Sequence, residues 1–173
     1  LIVAPKASGE NSSRTWGVYG TTTGITSVIN GPTNSASLAA LGASYQAAVF
    51  CEGLTIGGYS DWYLPAKNES EVLYYFLKPS TITNNTSSGS NANAVSPEPI
   101  STNYTSGSPA QTSAGIGFRI GETNAFAAGS ANYWVSTEYN STSAWGQSFS
   151  NGETYYSYKD SSFYVRAVRR IPV

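Results

Sequence analysis

Apolar and polar positions along the chain fall into three regimes. In the first, Leu38, Leu41, Tyr45 and Ala48 recur at helical spacing, which predicts a helix over 34–53. Asn34 or Ser35 would cap it and Gly53 would end it. A second helix is predicted from Lys67 to Leu77, with Val72, Leu73 and Phe76 turned inward and Pro79 as the stop. Glu69 and Glu71 near its start and Lys78 at its end suit the helix dipole. In the second regime, from Ser80 to Gly115, no apolar period survives. Ser, Thr, Asn, Gly and Pro dominate, as expected of a long surface excursion with at most short strands. A loop of that length inside a domain is usually functional.

The third regime is C-terminal and strand-like. Apolar residues there alternate with Tyr, Ser, Asn and Thr, predicting strands at Tyr133–Thr137, Ala144–Ser150, Glu153–Tyr158 and Tyr164–Ile171. Asn151-Gly152 is a strong hairpin signal between the middle two. Further strands are expected at Leu1–Pro5, Thr15–Tyr19 and Gly117–Ile120, with KASGENSSR as loop and Ala125–Ala128 as a turn packed by Phe126. The sum is one α+β domain over 1–173, with two helices packed on short twisted antiparallel sheets and a loop-rich excursion over 80–115.

A two-residue turn at Asn151-Gly152 would set Phe149 opposite Thr154, Gln147 opposite Tyr156 and Trp145 opposite Tyr158. Trp145 and Phe149 make that face the heavier apolar one, so it is expected to point inward. The other face, with Gly146, Ser148, Tyr155 and Ser157, would then be displayed beside Tyr139, Asn140, Ser143, Tyr158, Asp160 and Tyr164. These ten residues are the candidate ligand-binding set, because Tyr gives rigid contact area and Ser and Asn give adaptable hydrogen bonds. Ordinary strand propensity is the competing explanation for the same residues, and a one-residue slip would exchange the faces.

The motifs GYSDWYLP (58–65), YWVSTEY (133–139), AWGQSFSNG (144–152) and VRAVR (165–169) resemble, in order and spacing, the Lcl C-terminal-like domain family. Its usual pattern is G-[FY]-x-D-W-R-L-P, Y-W-S-S-T-E, A-W-x-V-x-F and a closing V-R-x-V-R. Tyr63, Val135 and Gln147 depart from that pattern, and Ala66 stands where Ser or Thr would cap the second helix. Tyr63 in place of Arg would remove a buried ion pair. The family is similar to the C-type lectin fold and to the formylglycine-generating-enzyme fold. It is also similar to proteins at phage tail-fibre tips and on virions, and to the variable proteins of diversity-generating retroelements. The resemblance therefore implies a C-type-lectin-like fold and a receptor-binding role on the virion surface, outside the cell. A homotrimer formed mainly by a preceding N-terminal part is implied as well.

Composition narrows the chemistry. Charged residues are 11% and the net charge is −1, which excludes the basic stripe of a nucleic-acid-binding protein. There is no His and one Cys, so no histidine general base, disulfide or Cys-cluster metal site is expected. Cys51 reads as core rather than nucleophile. Glu69 and Glu71 lie on different sides of their helix and make no glycosidase dyad. A calcium cage of the lectin kind is unlike the Glu-Pro at 98–99, which lacks a following amide. Asp61 is expected to cap a turn, Glu138 to make a buried bond to backbone or Arg166, and Arg166, Arg169 and Arg170 to form structural pairs. With no Met, residue 1 reads as a position inside a longer chain, and LIVAP is too short to cross a membrane. The expectation is a non-enzymatic domain with no cofactor that binds a host cell-surface receptor, either glycan or outer-membrane protein. Rival expectations are a structural virion module, such as capsid decoration or a fibre connector, and a bacterial surface adhesin.

Overall fold

The computed structural model describes residues 1–92, 102–129 and 131–171. The Glu-Pro considered for calcium, at 98–99, lies outside them. A five-stranded sheet runs in the order β2 (Glu10–Thr15), β6 (Ser162–Arg166), β3 (Asn132–Glu138), β4 (Ser143–Ser148), β5 (Thr154–Tyr158). Its pairings are antiparallel except β3 with β6, which meet in parallel at Tyr133 and Tyr164. A separate two-stranded ribbon joins β1 (Ile2–Val3) to β7 (Val168–Arg169).

Strand β3 is buried from Tyr133 to Glu138, on both faces. Successive side chains of a strand point to opposite sides, so Trp134 and Tyr133 enter different cores. Trp134 joins Trp16, Leu38, Cys51, Trp62 and Val165. Tyr133 joins Leu73, Tyr74, Tyr104, Phe126 and Phe149, with Phe126 and Phe149 stacked at 3.8 Å. Helices α2 (Gly31–Ala40) and α3 (Gln46–Glu52) cover the first side, and α4 (Lys67–Leu77) covers the second.

The helix expected over 34–53 is therefore two helices. Gly42, at φ +112°, turns the chain between them. The cap is Asn30, whose side chain accepts from Thr33 N–H. Asn34 and Ser35 instead tie the helix to its neighbours: Asn34 donates to Ser27 O at 2.6 Å and Ser35 Oγ accepts from Leu64 N–H. Helix α4 has the expected bounds. Ala66 offers no capping oxygen, but Glu69 reaches back to accept from its N–H at 2.8 Å, half of a capping box. Phe76 faces solvent rather than the core, and Tyr74 is the fully buried residue of that turn.

Other elements differ from expectation. KASGENSSR contains one helical turn, α1 (Lys6–Gly9), and strand β2. That strand has no apolar residue to announce it. Backbone pairing to β6 and the Glu10–Arg166 ion pair at 2.8 Å place it. The strand expected at Thr15–Tyr19 stops at Thr15, where Trp16 dives into the core. Gly117–Ile120 is a turn region, not a strand: Glu122 accepts there from Gly115 and Arg119 N–H. The expected terminal strand divides at Ala167 into β6 and β7.

The excursion is anchored rather than simply solvated. Tyr104 is buried between Tyr74 and Tyr75. Asn84 accepts from Tyr74 Oη and Lys78 Nζ and donates to Thr105 O and Pro109 O. Its polar side chains thus replace the missing apolar period.

One charge pair closes the open end of β3. Glu138 accepts from Thr23 and Gly24 N–H at 2.8 Å each and from the fully buried Lys159, which also donates to Thr21 O. The partners are backbone and Lys159, not Arg166. Burial alone would raise the Glu138 carboxyl, but the Lys159 ammonium and the two N–H groups outweigh it and hold it below the usual carboxylate value. A carboxyl depressed in the folded state contributes stability above its unfolded pKa and loses it as pH falls through its folded pKa. Lys159→Met should cost about 3 kcal/mol or more, because it strands a buried carboxylate. The deficit should shrink in acid as Glu138 protonates. Urea unfolding of the variant across pH checks both points, and a deficit that grows toward acid contradicts them.

Candidate functional site

The β4–β5 hairpin pairs Gln147 with Thr154, Trp145 with Tyr156 and Ser143 with Tyr158. This register slides by two residues from the expected one, because Phe149 leaves the strand to enter the core. The turn there is wider: Ser148 O accepts from Gly152 N–H. Gly152 sits at φ +78° beneath the Tyr74 ring, where a Cβ would come within 2.2 Å of Tyr74. A slide of two keeps each residue on its own face. What differs is which face is inside.

The small residues are hidden. Ala144, Gly146 and Ser148 are buried, and the Tyr155 ring folds inward to meet Phe163 edge-on at 6.0 Å. Tyr155 Oη lies so close over Gly146 that a Cβ there would fall 2.6 Å from it and 2.8 Å from Tyr133 O. That hydroxyl is buried with no hydrogen-bond partner among the described residues. Small side chains in β4 are the space that Tyr155 fills.

The large residues are shown. Tyr139, Tyr156 and Tyr158 are 43%, 54% and 60% exposed. Tyr139 stacks on Tyr156 with centroids 4.0 Å apart, and Trp145 stands edge-on to both at 5.1 and 5.8 Å. Tyr19 extends the group by an edge contact with Tyr158 at 5.4 Å. Lys67 Nζ lies 5.2 Å above the Trp145 ring and 2.9 Å from Glu71 Oε1. The rings fix one another, so the face is preorganised. Beside Trp145 and Tyr156 it opens into a cleft of about 630 Å³, whose far wall is the excursion turn at Asn85, Ser87 and Ser88.

Of the ten candidate residues, Tyr139 and Tyr158 belong to this face. Asn140 is exposed, but its Oδ1 accepts from Thr142 and Ser143 N–H and so builds the β3–β4 turn. Asp160 is exposed in the turn before β6. Ser157 is half-buried, and Tyr164 is half-buried against Tyr133 at 5.2 Å. Ser143, Gly146 and Ser148 are buried, and Tyr155 is half-buried with its hydroxyl enclosed. The expected display of the Gly146/Ser148/Tyr155 side is thus reversed. Sequence reasoning passed over Trp145, Tyr156, Tyr19 and Lys67. The available signal was Tyr133-Trp134-Val135, three consecutive large apolar residues, too continuous for a sheet with one wet face.

Several charged residues elsewhere are engaged. Arg169 forks onto Asp61 at 2.7 and 2.8 Å and lies 3.8 Å over the Tyr59 ring, so Asp61 anchors an ion pair rather than capping a turn. Tyr63 Oη donates to Glu69, and Arg170 supplies the charge on the same carboxylate at 2.8 Å. The ion pair that Tyr63 would remove is thus made from the chain's other end. Cys51 is fully buried, and burial with the neighbouring Glu52 pushes its thiol far up, as a core residue requires. Among the described residues no group of three or more His, Cys, Asp and Glu side chains is placed to hold a metal ion.

Glu71 is the electrostatic opposite of Glu138. Burial raises its carboxyl, with Lys67 pulling it back, and Oε2 has no partner among the described residues. A carboxyl raised in the folded state loses stability as pH climbs from its unfolded to its folded pKa. Glu71→Gln should therefore gain on the parent between about pH 4 and about pH 8, read from urea midpoints at the two ends. A variant that loses ground with rising pH contradicts the assignment. Gly146→Ala should cost about 1–3 kcal/mol through overpacking, measured by the same unfolding. No cost would mean that Gly146 faces open space.

A family model for the Lcl C-terminal domain matches residues 10–169. No curated protein and no solved structure matches the chain. The matched span takes in the whole sheet, the three longer helices and every residue of the aromatic face, and the chain belongs to the Lcl C-terminal domain family.

Proposed function

We propose that this domain is a non-catalytic recognition module on a C-type-lectin-like frame, carried on a phage tail fibre or virion surface, that binds a host cell-surface receptor. The observation behind it is the preorganised aromatic cluster of Tyr139, Trp145 and Tyr156, with Tyr158 exposed two residues further along β5 against Tyr19. Contiguous exposed apolar area of this kind is unusual on a soluble domain and marks interaction sites. Tyr and Trp carry large contact area at low entropy cost, and here they are already held by one another. The phage setting rests on the motif resemblance.

The mechanism is adhesion. Ligand contact removes the outer faces of Tyr156 and Tyr158 from water, and ring stacking and Tyr hydroxyl bonds orient it. Single-site affinity on so small a face is modest, so attachment draws on avidity from several copies on one particle. Tyr156→Ala combined with Tyr158→Ala should reduce binding of the labelled domain to susceptible cells by about tenfold or more. Stability should fall by about 1–3 kcal/mol, from the lost aromatic pairs and strand propensity, and leave the domain folded. Flow cytometry and urea unfolding read the two effects, and undiminished cell binding by a folded double variant contradicts this reading.

A further inference from the structure

We propose that the cleft beside Trp145 and Tyr156 is a subsite for an uncharged sugar, so that the recognition is directed at a neutral glycan; the inference rests on the recognition reading above. The cleft, about 630 Å³, has two unlike walls. The hairpin wall presents Trp145 and Tyr156 with Thr154, Glu153 and part of Tyr155, and the excursion wall presents Asn85 and Ser87. Aromatic surface on one side and small hydroxyl and amide groups on the other match the two surfaces of a pyranose. Its C–H face lies on a ring, and its hydroxyl edge needs donors and acceptors together. Asn supplies both, Ser and Thr supply both, and Glu153 adds a strong acceptor.

Charge selects against other ligands. The cation at this face, Lys67, is committed to Glu71 at 2.9 Å and sits over Trp145. An anionic sugar or a phosphate would meet Glu153, and among the described residues the cleft walls offer no cation. A protein ligand prefers a desolvated apolar pocket for its anchor side chain, and half of this cleft is polar.

The polar wall is also fixed in place before any ligand arrives. Asn85 N–H donates to Asn151 O at 2.8 Å, Thr154 N–H to Ser88 Oγ at 3.1 Å, and Ser87 N–H to Asn85 Oδ1 at 2.8 Å. The excursion is thus fastened to the hairpin that carries the rings. Binding then pays little to order the loop, which matters for the weak contacts sugars make. It also gives the turn at Asn85–Ser88 a function: it is the second wall of the site.

The test uses the whole domain against immobilised uncharged hexose and N-acetylhexosamine oligosaccharides, with heparin and sialylated oligosaccharides as anionic probes. Binding to a neutral probe is expected, together with quenching or enhancement of Trp fluorescence. Tyr156→Ala and Asn85→Ala should each weaken it by about tenfold, while Tyr156→Phe, which keeps the ring, should bind within about threefold of the parent. Tyr156 is exposed, so its variants fold whatever the fate of a Trp145 variant. Binding to anionic probes alone, or to none of the panel, overturns the inference. On cells that bind the domain, periodate oxidation should abolish attachment and protease treatment should leave it. Loss to protease alone overturns the sugar assignment and leaves the recognition reading standing. Attachment indifferent to Tyr156→Ala and Tyr158→Ala together removes the recognition reading too.

Discussion

Strand β3 has no face left to water, and the rest of the molecule is arranged to keep it so. Trp134 requires α2 and α3 on one side, and Tyr133 requires α4, Phe126 and Phe149 on the other. Two-sided burial removes the usual signature of an antiparallel sheet, in which one face is dry and the other wet. It also decides the fate of β4 and β5. Next to β3 both faces of β4 are largely covered, and the second layer runs out only toward the edge strand β5. The exposed aromatic face is that margin, where α4 ends its cover and Tyr156 and Tyr158 continue beyond it.

Electrostatics follow the same geometry. Where β3 emerges, Glu138 holds two backbone N–H groups and Lys159, which fastens the loop around Thr23 to the sheet. Under the margin, Glu71 on α4 is buried with one oxygen unpartnered among the described residues and keeps Lys67 in place over Trp145. Burial works against both carboxylates. Donor number decides the outcome, lowering Glu138 and leaving Glu71 raised. Two glutamates with opposite pH dependence confine the greatest stability to an intermediate pH window.

Much of the fold was legible. Helix α4 was bounded correctly because its apolar stripe, dipole-matched charges and Pro79 all agree. The C-terminal strands and the family motifs were visible for the same reason. The division of the first helix turned on Gly42 alone, and β2 carries no apolar residue, so periodicity had nothing to detect. At the site, the hairpin was found and its faces were separated correctly. The inward face is the one that residue size argues against. In β4 the logic is inverted: Gly146 has no side chain because Tyr155 occupies that space. Trp145 and Phe149 looked like one apolar face, yet Phe149 lies past the end of the strand and reaches the core from a turn.

The central claim is that the aromatic side of the β4–β5 hairpin, not the small-residue side, meets the ligand. Hydroxyl-radical labelling of the domain, free and bound to cells, with residue-level mass spectrometry, tests it most directly. The account predicts strong labelling of Tyr139, Tyr156 and Tyr158 in the free chain, protection of Tyr139, Trp145 and Tyr156 on binding, and weak labelling at Tyr155 in the free chain. Strong labelling of Tyr155 in the free chain, or protection confined to residues away from Tyr139, Trp145 and Tyr156, would contradict it.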